Sequence, residues 1–339
     1  MNVSAKVQAR HGSPLATAVL LASVLIALGG RPAPAQEVKA WRHGIVEAKS
    51  DAGFVFMARN GGFAQKQGLK IDLVQFKGDA LALKAMLAGE LDSYEGSPGG
   101  PMLAAAHGAE IKIVGCFWPI PNYGIFAKPG IAGPGNLQGK TLAISAPGAL
   151  PDLLARAVLE QNHVEASEVR FTVMGSDTDR YRALAAGVVD AAAASTEFVP
   201  LAQLAGLRLL VHAHDAVPNY LRFCTYTASK TLATRRDQVV RFLAAEITAL
   251  RYAIANRDAT IALAKEISEA KPDDPRAAYI YDEVARYSSI VPEMPIPKEK
   301  LDWMQALLVK TGNLDKTFDL APMIDDSARR SALDLAGNK

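Results

Sequence analysis

Residues 87–98 read LAGELDSYEGSP, and residues 184–200 read LAAGVVDAAAASTEFVP. Within them Ala88-Gly89-Glu90-Leu91-Asp92 and Ala186-Gly187-Val188-Val189-Asp190 stand 98 residues apart and share the pattern Ala-Gly-x-apolar-Asp. A glycine just past a helical run marks a helix end, because glycine takes the left-handed backbone that closes a helix at no steric cost. Each copy therefore predicts a helix that stops and a chain that turns into a strand. Working outward at the same offset, Ile45-Val46 in HGIVEA falls on Ala143-Ile144 in TLAISA. Ile71 and Leu73 in KIDLVQF fall on Val169 and Phe171 in VRFTVMG, and Ser97 falls on Ser195. The order of β-like and helical stretches thus occurs twice, which predicts an α/β protein of two similar lobes with largely parallel sheets, one beginning near Trp41 and the other near Asn122.

After the second copy comes one more strand-like run, residues 221–228, and then helices only. Val239, Val240, Leu243, Ile247, Leu250 and Ile254 keep a helical period, as do Leu301, Met304 and Leu308, with the connector VPEMPIP at 291–297 between them. The helices are expected to cover the outer faces of the two sheets. Pro119, Pro121 and Pro218 mark a two-stranded hinge where the chain leaves lobe one and returns. The expected organisation is residues 1–35 as a signal peptide, 36–120 as the first part of lobe one, 121–219 as lobe two, and 220–339 as the return to lobe one with the C-terminal helices.

The signal peptide is read from Lys6 and Arg10, the 14-residue apolar run 15–28, and Ala33-Pro34-Ala35, with cleavage after Ala35. That run is shorter than the roughly 20 residues of a spanning helix, and no cysteine lies near the cleavage site to carry a lipid. The chain has 37 Lys+Arg and 35 Asp+Glu among 339 residues. Without the leader, which holds Lys6, Arg10 and Arg31 and no acid, the charge is 34 − 35 = −1. With no basic block, nucleic acid is excluded as a partner. The product is expected to be exported, most simply to a bacterial periplasm, as a monomer. Cys116 and Cys224, in IKIVGCFW and YLRFCTYTA, are compatible with a bridge in an oxidising compartment or with two buried thiols.

In open α/β sheets ligands bind beyond the carboxyl ends of the strands. Four loops meet that condition at the cleft between lobes: Lys49-Ser50-Asp51-Ala52-Gly53, Tyr94-Glu95-Gly96-Ser97-Pro98, Ala146-Pro147-Gly148-Ala149, and Ser195-Thr196-Glu197-Phe198. Each precedes a helical stretch, whose free N–H groups and dipole favour polar ligand atoms. Ser50, Ser97, Ser195 and Thr196 are either helix caps or ligand contacts, and Glu95 and Glu197 either accept hydrogen bonds from ligand or are solvated charges. Tyr94, Trp118, Tyr123, Phe198 and Tyr220 either flank the cleft or pack in the core. Asp177, Asp179, Arg180 and Arg182 read as the acidic first turn and exposed face of a helix, with Arg180 as an alternative anion clamp. No G-x-S-x-G, H-E-x-x-H or Walker loop is present. Gly133-Pro134-Gly135 precedes a strand instead of following one, so it is no dinucleotide loop. His212 and His214 would face one way on a strand, but no third ligand is evident, so neither a metal nor a cofactor is expected.

The pattern MARNGGFAQKQGLKIDLVQF, LAGELDSYEGSP, GNLQGKTLAIS, LAAGVVDAAAASTEFVP resembles the periplasmic substrate-binding proteins of ABC importers that include binders of sulfonates, taurine, nitrate and thiamine-precursor pyrimidines (SsuA/THI5-like, NMT1-like), over residues 41–320. The resemblance implies a type II periplasmic-binding fold, two lobes joined by two crossover strands, that captures a small molecule and delivers it to a permease and its ATPase. It implies no catalysis. It places the ligand loops on the four segments named above, and with Tyr123 from the flanking aromatics the candidate ligand residues are Ser50, Asp51, Gly53, Glu95, Gly96, Ser97, Tyr123, Pro147, Gly148, Ala149, Ser195, Thr196, Glu197 and Phe198. Glu197 and Pro200 resemble the family's acid-then-proline segment, here separated by Phe198 and Val199. If the strand with Cys224 inserts beside the strand with Cys116, as that fold suggests, a bridge is sterically feasible. The four loops hold only Lys49 against Asp51, Glu95 and Glu197, which points to a neutral or heterocyclic organic ligand. The same resemblance leaves two alternatives: a thiamine-pyrimidine biosynthetic enzyme, whose cysteine-rich motif is absent here, and a ligand-sensing module for a membrane sensor.

Overall fold

The computed structural model describes residues 39–47 and 49–337. The expected signal peptide and its cleavage site lie outside them. Among the described residues no helix is long and apolar enough to cross a membrane.

The first five strands are β1 (Lys39–Val46), β2 (Leu69–Phe76), β3 (Ser93–Gly96), β4 (Ile111–Trp118) and β5 (Tyr123–Ala127). The next five are β6 (Thr141–Ile144), β7 (Arg170–Val173), β8 (Ala191–Ser195), β9 (Arg208–His212) and β10 (Phe223–Ala228). Short helices α1 (Ala52–Val55), α2 (Met57–Asn60) and α3 (Phe63–Lys66) follow β1, while α4 (Asp79–Leu87) and α5 (Gly99–Ala106) follow β2 and β3. In the second lobe lie α6 (Leu150–Gln161), α7 (Asp177–Ala185), α8 (Val199–Leu204) and α9 (Ala213–Ala216). The chain ends in α10 (Ser229–Thr234), α11 (Arg236–Ala255), α12 (Arg257–Ile267), α13 (Arg276–Tyr287), α14 (Lys298–Lys310) and α15 (Asp326–Ala336).

The two sheets have one topology, β2-β1-β3-β10-β4 and β7-β6-β8-β5-β9. In each, the first three strands are parallel and the fourth is antiparallel to both neighbours. The sheets are therefore mixed, because the chain reaches each lobe from the other along its antiparallel strand. The repeat holds at 98 residues for α4 and α7, which begin at Asp79 and Asp177. It slips at the first strand: Ser93 pairs with His43, but Ala191 pairs with Leu142, so β1 and β6 correspond at 99. Ile45 is thus the counterpart of Ile144, not of Ala143, and a one-residue slip exchanges the two faces of a strand.

The shared Ala-Gly-x-apolar-Asp segment has the same geometry twice. Gly89 and Gly187 have φ of 78° and 74°. The next N–H, of Glu90 or Val188, returns to Ala85 O or Ala183 O at 2.9 and 2.8 Å, the long hydrogen bond of a glycine-closed helix. Asp92 Oδ2 and Asp190 Oδ2 then accept the backbone N–H of Arg42 and Thr141 at 2.8 and 2.9 Å, fixing the start of the third strand against the first.

β10 enters the first sheet between β3 and β4, where Cys224 opposes Cys116 and the two form a disulfide. Beside it the two crossover segments run together: Arg222 N–H donates to Trp118 O, and Lys300 of α14 donates to Pro119 O and Pro218 O at 3.1 and 2.9 Å. One lysine thus ties both segments. Val239, Leu243, Ile247 and Leu250 of α11 are buried in a core with Trp41, Phe54 and Phe117, whereas Ile254 is exposed. Leu301, Met304 and Leu308 of α14 join an apolar cluster that continues from Leu91 and Tyr94 in the first lobe to Ile125 and Leu142 in the second. Each fully buried side chain of this kind stabilises the fold by about 1.5–3 kcal/mol.

Candidate functional site

Between the lobes lies a cavity of about 520 Å³, within the range of small-molecule sites. Its apolar wall includes Leu81, Leu83, Leu87 and Leu103 from the first lobe and Pro147, Leu150 and Pro151 from the second. Leu81 and Leu87 are 53% and 43% exposed, large apolar side chains open at the cavity. The loops after β1, β2, β3, β6 and β7 and the crossover before β10 all reach the cavity. Strand–loop–helix order puts them there, since each loop leaves the carboxyl end of a strand.

Of the residues singled out from sequence, Ser97, Tyr123, Pro147, Gly148 and Ala149 line the cavity, together with Lys49 and Ala146. Ser97 Oγ lies 2.5 Å from Tyr220 OH, and its N–H donates to Asp79 Oδ2 at 3.2 Å. Gly148 N–H is taken by Asp152 Oδ2 at 2.8 Å. Ser50, Asp51, Gly53, Glu95, Gly96, Ser195, Thr196, Glu197 and Phe198 are buried but stand behind the wall. Asp51 pairs with Arg222, and Glu197 Oε2 accepts the Ser50 N–H at 2.9 Å across the lobes. Thr196 Oγ1 donates to Glu283 of α13. Ser195 Oγ accepts the Glu197 N–H at 3.3 Å, as a cap does. Gly53 is required for packing, as a Cβ there would meet Thr260 O at 2.0 Å. Phe198 stacks on Tyr181 and Tyr94 on Tyr226, while Trp118 lies under Arg222, so these aromatics pack in the core.

The reading of Asp177 and Arg180 as an exposed helix face is corrected: both are buried and line the cavity, while Asp179 and Arg182 are outside. Asp177 is held by Lys49 from the opposite lobe, by Arg180, and by Tyr123 OH at 2.6 Å. Burial opposes its ionisation, but Lys49 and Arg180 outweigh burial and hold its carboxyl well below the usual range. Burial likewise opposes the Lys49 ammonium, yet Asp177 and Tyr123 outweigh it and raise its pKa. Asp79, at the equivalent position of lobe one, has no such partner, and burial pushes it up to about 6. Burial also raises Glu197 and holds Glu95 well above its ordinary value.

Sequence reasoning missed Arg222. It lies on the second crossover, is 1% exposed, lines the cavity, and stacks 3.9 Å from the Trp118 ring and 4.2 Å from Phe223. Its Nη2 meets Asp51, whereas Nε and Nη1 have no hydrogen-bond partner. Arg180 differs, with Nε, Nη1 and Nη2 directed to Ala193 O, Gly175 O and Asp177. Lining cations, Lys49, Lys77, Lys84, Arg180 and Arg222, outnumber the lining acids Glu47, Asp79 and Asp177. The cavity-lining residues include no cysteine and no histidine.

Solved structures with the same architecture include the alkanesulfonate-binding protein SsuA from Xanthomonas axonopodis pv. citri bound to MOPS, with a TM-score of 0.72 and 20% identity over 86% of this chain and 100% of that one. The periplasmic aliphatic sulphonate binding protein SsuA from Escherichia coli follows at 0.70 and 21%, over 85% and 92%. The desulfurization enzyme DszB is also similar, at 0.67 and 16%, over 88% and 99%. These likenesses identify the two-lobed periplasmic-binding fold. No curated protein matches the chain. Residues 49–260, more than half of the chain, match the family described as NMT1/THI5 like. The chain belongs to the NMT1/THI5-like family.

Proposed function

We propose that the protein is an extracytoplasmic solute receptor that captures a small organic molecule in the inter-lobe cavity and delivers it to an ABC permease and its ATPase. The ligand has an apolar body and an anionic or oxygen-bearing head. The observation that carries this reading is the cavity-lining Arg222 guanidinium, whose Nε and Nη1 are buried without a hydrogen-bond partner. Such donors cost stability until an acceptor meets them, and a planar fork suits a carboxylate or sulfonate. This revises the expectation of a neutral or heterocyclic ligand, which rested on four loops that exclude the crossover. Lys49–Asp177 and Ser50–Glu197 link the lobes beside the cavity, so closure on a ligand forms an ion pair and a hydrogen bond that an open form lacks. The SsuA proteins bear names of sulfonate binders, and the N-terminal segment reads as a signal peptide; both support a periplasmic receptor. In this reading it works as a monomer, with residues 36–120 and 220–339 moving against 121–219.

An enzymatic reading has support from DszB, an enzyme on this fold. The test is thermal unfolding against panels of carboxylates, sulfonates, inorganic anions, pyrimidines and matched neutral amides. A ligand at 100 times its Kd adds roughly 2.7 kcal/mol to the folded state. Stabilisation by organic anions over their neutral isosteres is expected. Equal response to both, or turnover of a stabilising compound, refutes the reading.

A further inference from the structure

His212 closes β9 and His214 lies in the first turn of α9, both in the second lobe, with rings stacked at 4.8 Å. Opposite them stands Glu283 of α13. That helix is anchored on the first lobe: Tyr281 stacks on Phe54 at 5.6 Å and donates to Ile254 O, and Asp282 pairs with Arg257 at 2.9 Å. One candidate ligand atom from each of His212, His214 and Glu283 lies within 4.8 Å of the others. His212 Nδ1 is 3.8 Å from Glu283 Oε1, too far for a hydrogen bond, and both atoms are buried without a partner. Glu283 is 7% exposed. Two unsatisfied buried atoms facing each other across such a gap call for something between them.

We propose that His212, His214 and Glu283 form a site for a divalent transition-metal ion of the Zn²⁺ class, bridging the two lobes outside the solute cavity. Two imidazoles and a carboxylate are the donor set such ions take, leaving a fourth position for water. Bonds of about 2.0–2.1 Å in a tetrahedron hold ligand atoms roughly 3.4 Å apart, so the three side chains draw inward by about an ångström. The supporting contacts are in place. Thr196 Oγ1 donates to Glu283 Oε2, and the Asp215 carboxylate lies 3.4 Å from His214 Nε2. Arg286, also on α13, acts electrostatically on both His212 and Glu283 and opposes the ion, which the carboxylates of Glu283 and Asp215 offset. With one ligand on the first lobe and two on the second, the ion fastens the closed arrangement. Only that consequence rests on the receptor reading; metal binding itself does not.

The test is calorimetric titration of Zn²⁺ into the full chain, expressed without a polyhistidine tag and stripped of metal, with Co²⁺ as a spectroscopic substitute. One ion per chain is expected, with visible ligand-field bands for Co²⁺. His212→Ala and Glu283→Gln lose more than the roughly 10–100-fold that removal of an outer partner costs, and Thr196→Val falls within that range. Zn²⁺ raises the unfolding midpoint of the parent and not of Glu283→Gln, which keeps shape and hydrogen bonding and so separates ligation from folding. No stoichiometric binding overturns the site. So does unchanged affinity in Glu283→Gln, which means that exposed imidazoles alone hold the ion.

Discussion

Removal of the Cys116–Cys224 bridge is predicted to cost the fold several kcal/mol without altering solute affinity. The bond joins residues 108 apart and closes a loop that contains all of the second sheet. The loop-entropy relation gives a loss of about 16 cal/mol/K for a loop of this length, or about 4.8 kcal/mol at 25 °C. That value is a ceiling, because a residually structured unfolded chain has less freedom to regain. Both sulfurs are buried between β4 and β10, so Cys116→Ala with Cys224→Ala leaves a small void while the ladder hydrogen bonds remain. The assay is urea unfolding of parent and double variant at one pH, followed by tryptophan fluorescence and circular dichroism together. A loss of about 3–5 kcal/mol with a changed m-value, as expected when the unfolded state expands, supports the account. A loss below about 1 kcal/mol refutes it, and so does unchanged stability of the parent when the bridge is reduced with both thiols intact. Solute affinity within twofold of the parent shows that the bridge holds the crossovers together and takes no part in recognition.

Lys49→Met removes the cation that joins the lobes at Asp177; Arg180 and Tyr123 still hold the carboxylate, so the loss sits at or below the lower end of the about 3–5 kcal/mol for a broken buried pair. Small-angle scattering of the ligand-free variant should report a larger radius of gyration than the parent. Arg222→Met combined with Asp51→Asn removes the free donors without stranding a buried carboxylate; at about 1.5–3 kcal/mol per charged hydrogen bond, anion affinity measured by calorimetry falls at least about 100-fold. Retained affinity refutes the assigned role of Arg222. Burial raises Glu246 to about 8, so the folded chain holds a proton that the unfolded chain releases. Its stabilisation is complete below the unfolded carboxylate pKa and is lost as pH rises through the folded value. His43, lowered to about 4 by burial, acts in the opposite sense but only below about pH 6.5. Stability therefore falls between pH 6.5 and 8, and Glu246→Gln reduces that slope by up to about 1.4 kcal/mol per pH unit in chemical unfolding; an unchanged slope refutes the assignment.

The two-lobed fold was legible because a helix-closing glycine and a strand-pairing aspartate have roles that few other residues fill, so two copies in register identify two equivalent units. The slip at the first strand was not legible: Ile45-Val46 and Ala143-Ile144 are short apolar pairs, and only ladder pairing distinguishes neighbouring registers. Strand ends predicted which loops approach the cleft but not which side chains face it. Glu197 and Asp51 turn to partners from the other lobe and the crossover, contacts made across 147 and 171 residues. Arg222 did carry a signal, as a lone charge in the apolar run YLRFC, where a buried guanidinium requires an acceptor. Glu283 is separated from His212 by 71 positions, on a helix whose sequence shows an ordinary amphipathic face, so the third member of that cluster emerges only from packing.

Equivalent positions of the repeat have diverged, and the divergence orients the cavity. Asp79 and Asp177 open corresponding helices, but Asp177 is ionised between Lys49 and Arg180 while Asp79 is raised by burial. The buried charge pairing therefore sits where the second lobe meets Lys49 and the crossover, while both lobes supply apolar lining, the leucines at 81, 83, 87 and 103 from the first and Pro147, Leu150 and Pro151 from the second. On the proposed reading, a molecule with a single anionic end places its head toward Arg222. Uniform binding to two identical lobes would give no such preference. The proposed direction of the ligand thus rests on unequal electrostatics laid over a common backbone plan: burial outweighs the Ser97 N–H, Lys49 and Arg222 at Asp79, whereas Lys49 and Arg180 outweigh burial at Asp177.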